Sequence, residues 1–158
     1  MNVATLLDRA KARGVMIATA ESCTGGMVAA ALTDIPGSSA VVERGFVTYT
    51  NLAKQQMLGV RAQTLQAHGA VSEQVAAEMA AGALSHAPVQ MAVSITGIAG
   101  PGGSEFKPEG RVCFGLAISG CTPLTETVEF GALGRDVVRL AARNHALAML
   151  SDGLSQFD

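Results

Sequence analysis

Apolar runs that stop at small polar residues divide this chain into alternating strands and helices. Val15-Met16-Ile17-Ala18 predicts a buried strand, and Met27 to Leu32 predicts a helix with only one β-branched residue, Val28. Before them, Val3, Leu6, Leu7 and Ala10 share one helical face that covers the sheet, and Gly14 supplies the stop. After them, Pro36-Gly37-Ser38-Ser39 marks a turn and Ala40 to Tyr49 a long strand. Two short helical pieces follow, Leu52 to Leu58 and Ala62 to Ala67. A longer helix, capped by Ser72, runs through about Ser85, with Val75, Met79 and Ala83 recurring every four residues. Gln90 to Thr96 predicts a second buried strand, Arg111 to Ser119 and Thr125 to Phe130 a closing antiparallel pair, and Arg135 to about Leu150 a final helix. Mixed order of this kind predicts an α/β fold, a three-layer α/β/α sandwich around a mixed β-sheet, in one domain spanning 1–158.

The composition narrows the class of partner. A chain of 158 residues buries about two thirds of its unfolded surface, so its core needs neither disulfide nor metal. Net charge is −2 with basic residues scattered, which argues against direct nucleic-acid binding. No signal-peptide pattern and no apolar run of membrane-spanning length are visible, so a cytoplasmic protein without membrane contact is expected. Only 15% of residues are charged, against a usual value of about 25%, and a homo-oligomer that buries part of the surface is expected. Cys23, Cys113 and Cys121 lack CxxC spacing, and His68, His86 and His145 are dispersed, so no metal site and no cofactor are expected.

Chemistry concentrates in three segments. In the first, Glu21-Ser22-Cys23-Thr24-Gly25-Gly26, a strand gives way to a helix; helix N-termini present free amides to anions, and the glycines allow close approach. Simple helix capping by Ser22 or Thr24 is the alternative. In the second, Thr48-Tyr49-Thr50-Asn51-Leu52-Ala53-Lys54, the only tyrosine closes a strand five residues before a lysine. A Ser/Lys pair makes a hydroxyl nucleophilic without histidine, provided the amine is neutral. An ordinary lysine pKa of about 10.4 must then fall by about 3 units, through desolvation or a nearby cation. Tyr49 can orient that amine or relay a proton; a solvated Lys54 and a half-buried Tyr49 are the structural alternative. The third segment, Gly97 to Gly110, is a 14-residue loop matching neither GxGxxG nor GxxxxGK[ST]. Its glycine amides with Lys107 can form an anion nest, and a plain surface loop is as compatible with the sequence.

Together these segments resemble the family of competence/damage-inducible CinA proteins, in the stand-alone form of their carboxy-terminal domain. The matching text is Thr19 to Gly26 (TAESCTGG), Gly45-Phe46-Val47-Thr48-Tyr49 with Lys54 and Leu58-Gly59-Val60, His68-Gly69-Ala70-Val71-Ser72, Gly97-Ile98-Ala99-Gly100-Pro101 with Gly103, and Lys107-Pro108. The resemblance implies metal-independent deamidation of a small nucleotide, nicotinamide mononucleotide, to nicotinate mononucleotide and ammonia. It implies Ser22 as nucleophile, Lys54 as base, and Tyr49 and Thr96 as supporting hydroxyls. Oxyanion stabilisation falls to the amides of Thr24, Gly25 and Gly26, and ribose or phosphate binding to Gly97, Gly100 and Gly103 with Lys107. Arg135 resembles a basic position that meets phosphate, a helix-end charge being the alternative. Cys23 is a rival nucleophile, because a thiol beside a helix N-terminus can be acidic; Ser39 and Thr24 are lesser rivals. Glu21 is placed to orient Lys54 or a substrate hydroxyl, or to bridge to a surface cation. Longer relatives carry an additional amino-terminal domain, whose activities this chain is not expected to share. Glu109 and Arg111 depart from the family's usual uncharged residues. A non-catalytic nucleotide-binding regulatory module is the competing functional class, and a metal-dependent phosphohydrolase lacks the carboxylate cluster it needs.

Overall fold

The computed structural model describes residues 2–158. The elements run α1 (Val3–Ala12), β1 (Ile17–Glu21), α2 (Met27–Thr33), a 3-10 turn (Ser38–Ala40), β2 (Val42–Val47), α3 (Asn51–Leu58), α4 (Ala62–His68), α5 (Glu73–His86), β3 (Met91–Gly97), β4 (Arg111–Ile118), β5 (Leu124–Glu129) and α6 (Arg135–Gly153). One five-stranded sheet has the order β2-β1-β3-β4-β5. The first three strands are mutually parallel, and β3-β4-β5 are antiparallel. Helices cover both faces, as the three-layer expectation requires.

Side-chain alternation along the strands decides which layer each residue meets. Ile17, Met91, Val93 and Ile95 face a core shared with α1, α2 and α6. Ala18, Ala20 and Ala92 face the core under α5, where their small size admits Val75, Met79 and Ala83. The last β1 residue, Glu21, is level with Val47 of β2 and Ile95 of β3, so three strand ends open at one edge. Chain connections leave β1 toward β2 across α2 and return from β2 to β3 across α3, α4 and α5. This is a switch point, where parallel sheets open a crevice beyond their carboxyl ends.

Two strands differ from expectation. The first is shifted to Ile17–Glu21, because the sheet buries Thr19 and Glu21 as completely as its alanines. The second is shorter, Val42–Val47, because Ser38–Ala40 closes into a 3-10 turn. Close approach fixes α3 on its layer: a Cβ on Gly82 of α5 would lie 2.0 Å from the Leu58 carbonyl oxygen, so only glycine lets the two helices meet there. Among the described residues, no helix is long and apolar enough to cross a membrane.

Candidate active site

Beyond the strand ends lies a cavity of about 320 Å³. Ser22 and Cys23 after β1, Tyr49, Asn51 and Lys54 around the start of α3, and Thr96 to Glu105 after β3 line it, with Arg135 of α6 at its margin. All three chemistry-bearing segments of the sequence therefore meet in one place.

Ser22 continues the even-numbered face of β1, toward the layer that carries α3 and α5. Lys54 projects from the first turn of α3, whose cap is the Thr50 hydroxyl accepting from the Ala53 amide. Lys54 Nζ lies 3.1 Å from Ser22 Oγ and 3.1 Å from the Thr48 carbonyl oxygen. The lysine is only 2% exposed, and among the described residues no carboxylate forms an ion pair with it. Burial accordingly holds its pKa below the usual lysine value, against weaker pulls from Cys23 and Glu105. Such an amine can accept a proton from the neighbouring hydroxyl while the Thr48 carbonyl fixes its direction.

Cys23 points to the other layer and joins the core under α1, α2 and α6. Burial raises its thiol to about 11, only partly offset by its own backbone amide and by Arg139. It is thus a protonated thiol at neutral pH, and Lys54 contacts the hydroxyl next to it instead. Ser39 lies in the 3-10 turn after α2, away from the cavity lining.

Glu21 has a role different from the one expected. Its fully buried carboxylate accepts from the Thr24 hydroxyl at 2.6 Å, the Val28 amide at 2.9 Å and the Ala29 amide at 3.1 Å. Gly26 precedes α2 at φ 108 and has no side chain to cap the helix, so the strand's last carboxylate reaches across the turn and caps it. Glu21 makes no hydrogen bond with Lys54 and lies outside the cavity lining. The α2 N-terminus is correspondingly closed to a ligand. Thr24, Gly25 and Gly26 stay out of the cavity lining; the Gly25 amide donates to the Ser22 carbonyl, and the Thr24 hydroxyl is spent on Glu21. The Ser22 amide is committed to the Ile95 carbonyl, whereas the Cys23 and Thr24 amides have no acceptor among the described residues. Replacing Glu21 by Gln keeps one acceptor oxygen and turns an NH₂ toward a buried helix amide that needs an acceptor. The expected cost is about 3 kcal/mol, a fall in Tm on the order of 10 °C measured by thermal unfolding.

Other candidates divide between wall and scaffold. Thr96 lines the cavity, and its hydroxyl donates to the Ala70 carbonyl at 2.8 Å. Gly97, Gly100 and Gly103 line it too. Gly103 packs where a Cβ would meet the Lys107 carbonyl oxygen at 2.4 Å. Tyr49 is 55% exposed on the wall, its hydroxyl accepts from Arg135 Nη2 at 2.5 Å, and the hydrogen-bond partners of Lys54 are Ser22 and Thr48 instead. Arg135 Nη1 donates to the Gly100 carbonyl at 2.7 Å, which ties the β2–α3 junction to the β3–β4 loop. Lys107 is a correction: Nζ donates to the His68 and Val71 carbonyls, 2.5 Å each, outside the cavity lining. The loop folds back on itself through a bridge between Ser104 and Lys107, which carries that cation away from the amides it was expected to assist. Glu109 accepts from the Gly102 amide at 3.1 Å and Arg111 pairs with Glu129 at 2.6 Å, so both departures from the family pattern brace the loop or its base. Two contacts escaped the sequence reading. The Thr48 carbonyl is main chain and leaves no trace in side-chain patterns. Arg139 donates to the Cys23 and Thr24 carbonyls, and its only signal was the spacing of four from Arg135 on one helix. Among the described residues, no group of three or more His, Cys, Asp or Glu could hold a metal ion.

The profile of the family described as "CinA C-terminal domain" matches residues 2–154. The chain belongs to the CinA C-terminal domain family. Relatives of that family include the nicotinamide-nucleotide amidohydrolase PncC of Escherichia coli K12, 57% identical over 141 residues that cover 89% of this chain and 85% of the relative. The PncC of Enterobacter agglomerans is 51% identical over 148 residues, 93% of this chain and 88% of the other. Among solved CinA-family structures, the competence/damage inducible protein CihA of Agrobacterium tumefaciens has a TM-score of 0.89 at 49% identity, covering 97% of this chain and 95% of that one. The competence damage-inducible protein A of Klebsiella pneumoniae has a TM-score of 0.92 at 38% identity over the whole of both chains.

Proposed function

We propose that this member of the CinA C-terminal domain family hydrolyses the carboxamide of nicotinamide mononucleotide, releasing ammonia and nicotinate mononucleotide, by a Ser22/Lys54 mechanism. The observation that carries the reading is the buried, unpaired Lys54 amine 3.1 Å from Ser22 Oγ at the floor of the cavity. Relatives sharing more than half of the aligned residues are named for this amidohydrolase activity, which supplies the substrate.

In the first half-reaction, neutral Lys54 takes the Ser22 proton as Oγ attacks the carboxamide carbon. The tetrahedral oxyanion faces the uncommitted amide of Cys23, which lines the cavity, a role in which one donor is commonly worth about 3 kcal/mol. Lys54, now an ammonium, returns its proton to the departing nitrogen, and ammonia leaves an acyl ester on Ser22. Water then attacks the ester, Lys54 accepts its proton, and that proton goes back to Ser22 Oγ as nicotinate mononucleotide departs. Proton and bond counts close over the cycle without a metal, and burial makes each uptake by Lys54 transient.

At the cavity margin, Tyr49 presents an aromatic face suited to the cationic pyridinium ring. Arg135 forms no ion pair among the described residues and keeps hydrogen-bond capacity for phosphate. Arg135→Met should raise KM about 10- to 100-fold, as expected for a lost charge-assisted contact, while kcat changes far less. Steady-state kinetics on nicotinamide mononucleotide checks this split. A homo-oligomer also belongs to the proposal, supported by the low overall charge and by Val137 and Leu140, both exposed on α6.

The deciding experiment is ammonia release from nicotinamide mononucleotide by the purified protein in the presence of a chelator. Release is expected at an undiminished rate. Binding of the nucleotide without release would transfer the protein to the regulatory class, and loss of release in chelator would revive a metal-dependent reaction.

A further inference from the structure

We infer that Arg139 is a positioning residue that aligns and polarises the amides next to the nucleophile. It sits one turn after Arg135 on α6, yet the two side chains end in different places. Arg135 reaches the cavity, whereas Arg139 lies half-buried behind the turn and outside the lining. Its Nε donates to the Cys23 carbonyl at 2.9 Å and its Nη2 approaches the Thr24 carbonyl at 3.4 Å. No carboxylate forms an ion pair with it among the described residues, so its charge is directed at these two peptide groups.

The carbonyl of Cys23 belongs to the peptide whose N–H is that of Thr24. A cation on the oxygen draws electron density through the amide and makes the N–H a stronger donor. That N–H has no acceptor among the described residues and is enclosed behind the cavity wall. The Thr24 carbonyl belongs in the same way to the peptide whose Gly25 N–H closes the turn on the Ser22 carbonyl at 3.0 Å. Arg139 therefore acts twice on the turn: it fixes the Thr24 peptide, and it tightens the Gly25–Ser22 bond, whose carbonyl belongs to the peptide that carries the cavity-lining Cys23 N–H. Gly25 accommodates this packing: it lies at φ 57, and a Cβ there would stand 3.4 Å from Arg139 Nη2. Glu21 braces the α2 side of the same turn, so a carboxylate and a guanidinium hold it from two directions without entering the cavity.

The kinetic part of the test rests on the amidohydrolase reading; the spectroscopic part does not. Arg139→Met should lower kcat about 10- to 100-fold with KM within about twofold of wild type, and Arg139→Lys should recover part of the loss. Arg135→Met, measured alongside, moves KM instead. In ¹⁵N-labelled protein, the Thr24 and Gly25 amide nitrogens should move upfield in Arg139→Met, because they sense the polarisation of the preceding carbonyl, and should partly return in Arg139→Lys. A rise in KM with kcat preserved, equal losses in the Met and Lys variants, or unmoved Thr24 and Gly25 resonances would overturn the inference. If wild-type protein releases no ammonia, the proposed reaction fails, and the resonance shifts still decide the role of Arg139. If Arg139→Met does not fold, wild type against Arg139→Lys supplies the same comparison, a smaller displacement of both resonances being expected.

Discussion

Ser22→Ala should reduce ammonia release from nicotinamide mononucleotide by about 10⁴-fold or more, the scale on which nucleophile deletion acts in serine hydrolases. KM should change little, because the hydroxyl donates no contact that the substrate uses uniformly in ground and transition states. The measurement is a single-turnover assay, which separates acylation from binding. Cys23 does not substitute. Its thiol faces the other layer and is raised to about 11 by burial, so it lacks both the thiolate and the base. Residual release near the wild-type rate in Ser22→Ala would assign the nucleophile elsewhere.

The second large effect concerns Lys54, and it joins loss of function to gain of stability. Lys54→Met should also reduce turnover about 10⁴-fold, since the Ser22 proton then has no acceptor. Methionine meanwhile fills the volume without placing an amine in an apolar setting. At pH 7 the variant should be more stable than wild type by about 1 kcal/mol, a Tm higher by roughly 2–4 °C, after allowance for the unpaired Thr48 carbonyl. The gain has a pH signature. Burial depresses the lysine pKa in the folded state, so between that value and the unfolded value near 10.4 the unfolded chain binds more protons, and wild-type stability rises with pH. The advantage of Lys54→Met should therefore shrink as pH climbs toward 10, in urea titrations at several pH values. Wild-type kcat/KM should rise with pH through the Lys54 titration and then level, because only the neutral amine is a base.

Much of this architecture is visible in the order of residues because local pattern and tertiary demand agree. Helix α5 begins after the Ser72 cap and α6 begins at Arg135, both where the pattern of residues sets them. The pairing of Ser22 with Lys54 was legible as chemistry, since a serine in a strand-to-helix turn and a lysine at the start of a short helix both lie at strand ends. What escaped was set by partners distant in space or by main chain. Thr19 and Glu21 are polar, so apolar periodicity ended the first strand too early; only the assembled sheet and the α2 amides show why they are buried. Lys107 reads as part of an anion nest in sequence because it follows the glycines of the same loop closely along the chain. The Ser104–Lys107 bridge sends its amine to the carbonyls before α5 instead. Tyr49 is close to the lysine along the chain, whereas a guanidinium from the far end of the sequence holds its hydroxyl.

Titration of the Lys54 side-chain nitrogen by heteronuclear NMR, in ¹⁵N-lysine-labelled protein with Lys54→Met to assign the resonance, tests the mechanism at its source. Loss of the Lys54 proton is expected below the ordinary lysine range, at the pH where kcat/KM levels. An ammonium that persists to pH 10 and titrates like a surface lysine would contradict the mechanism.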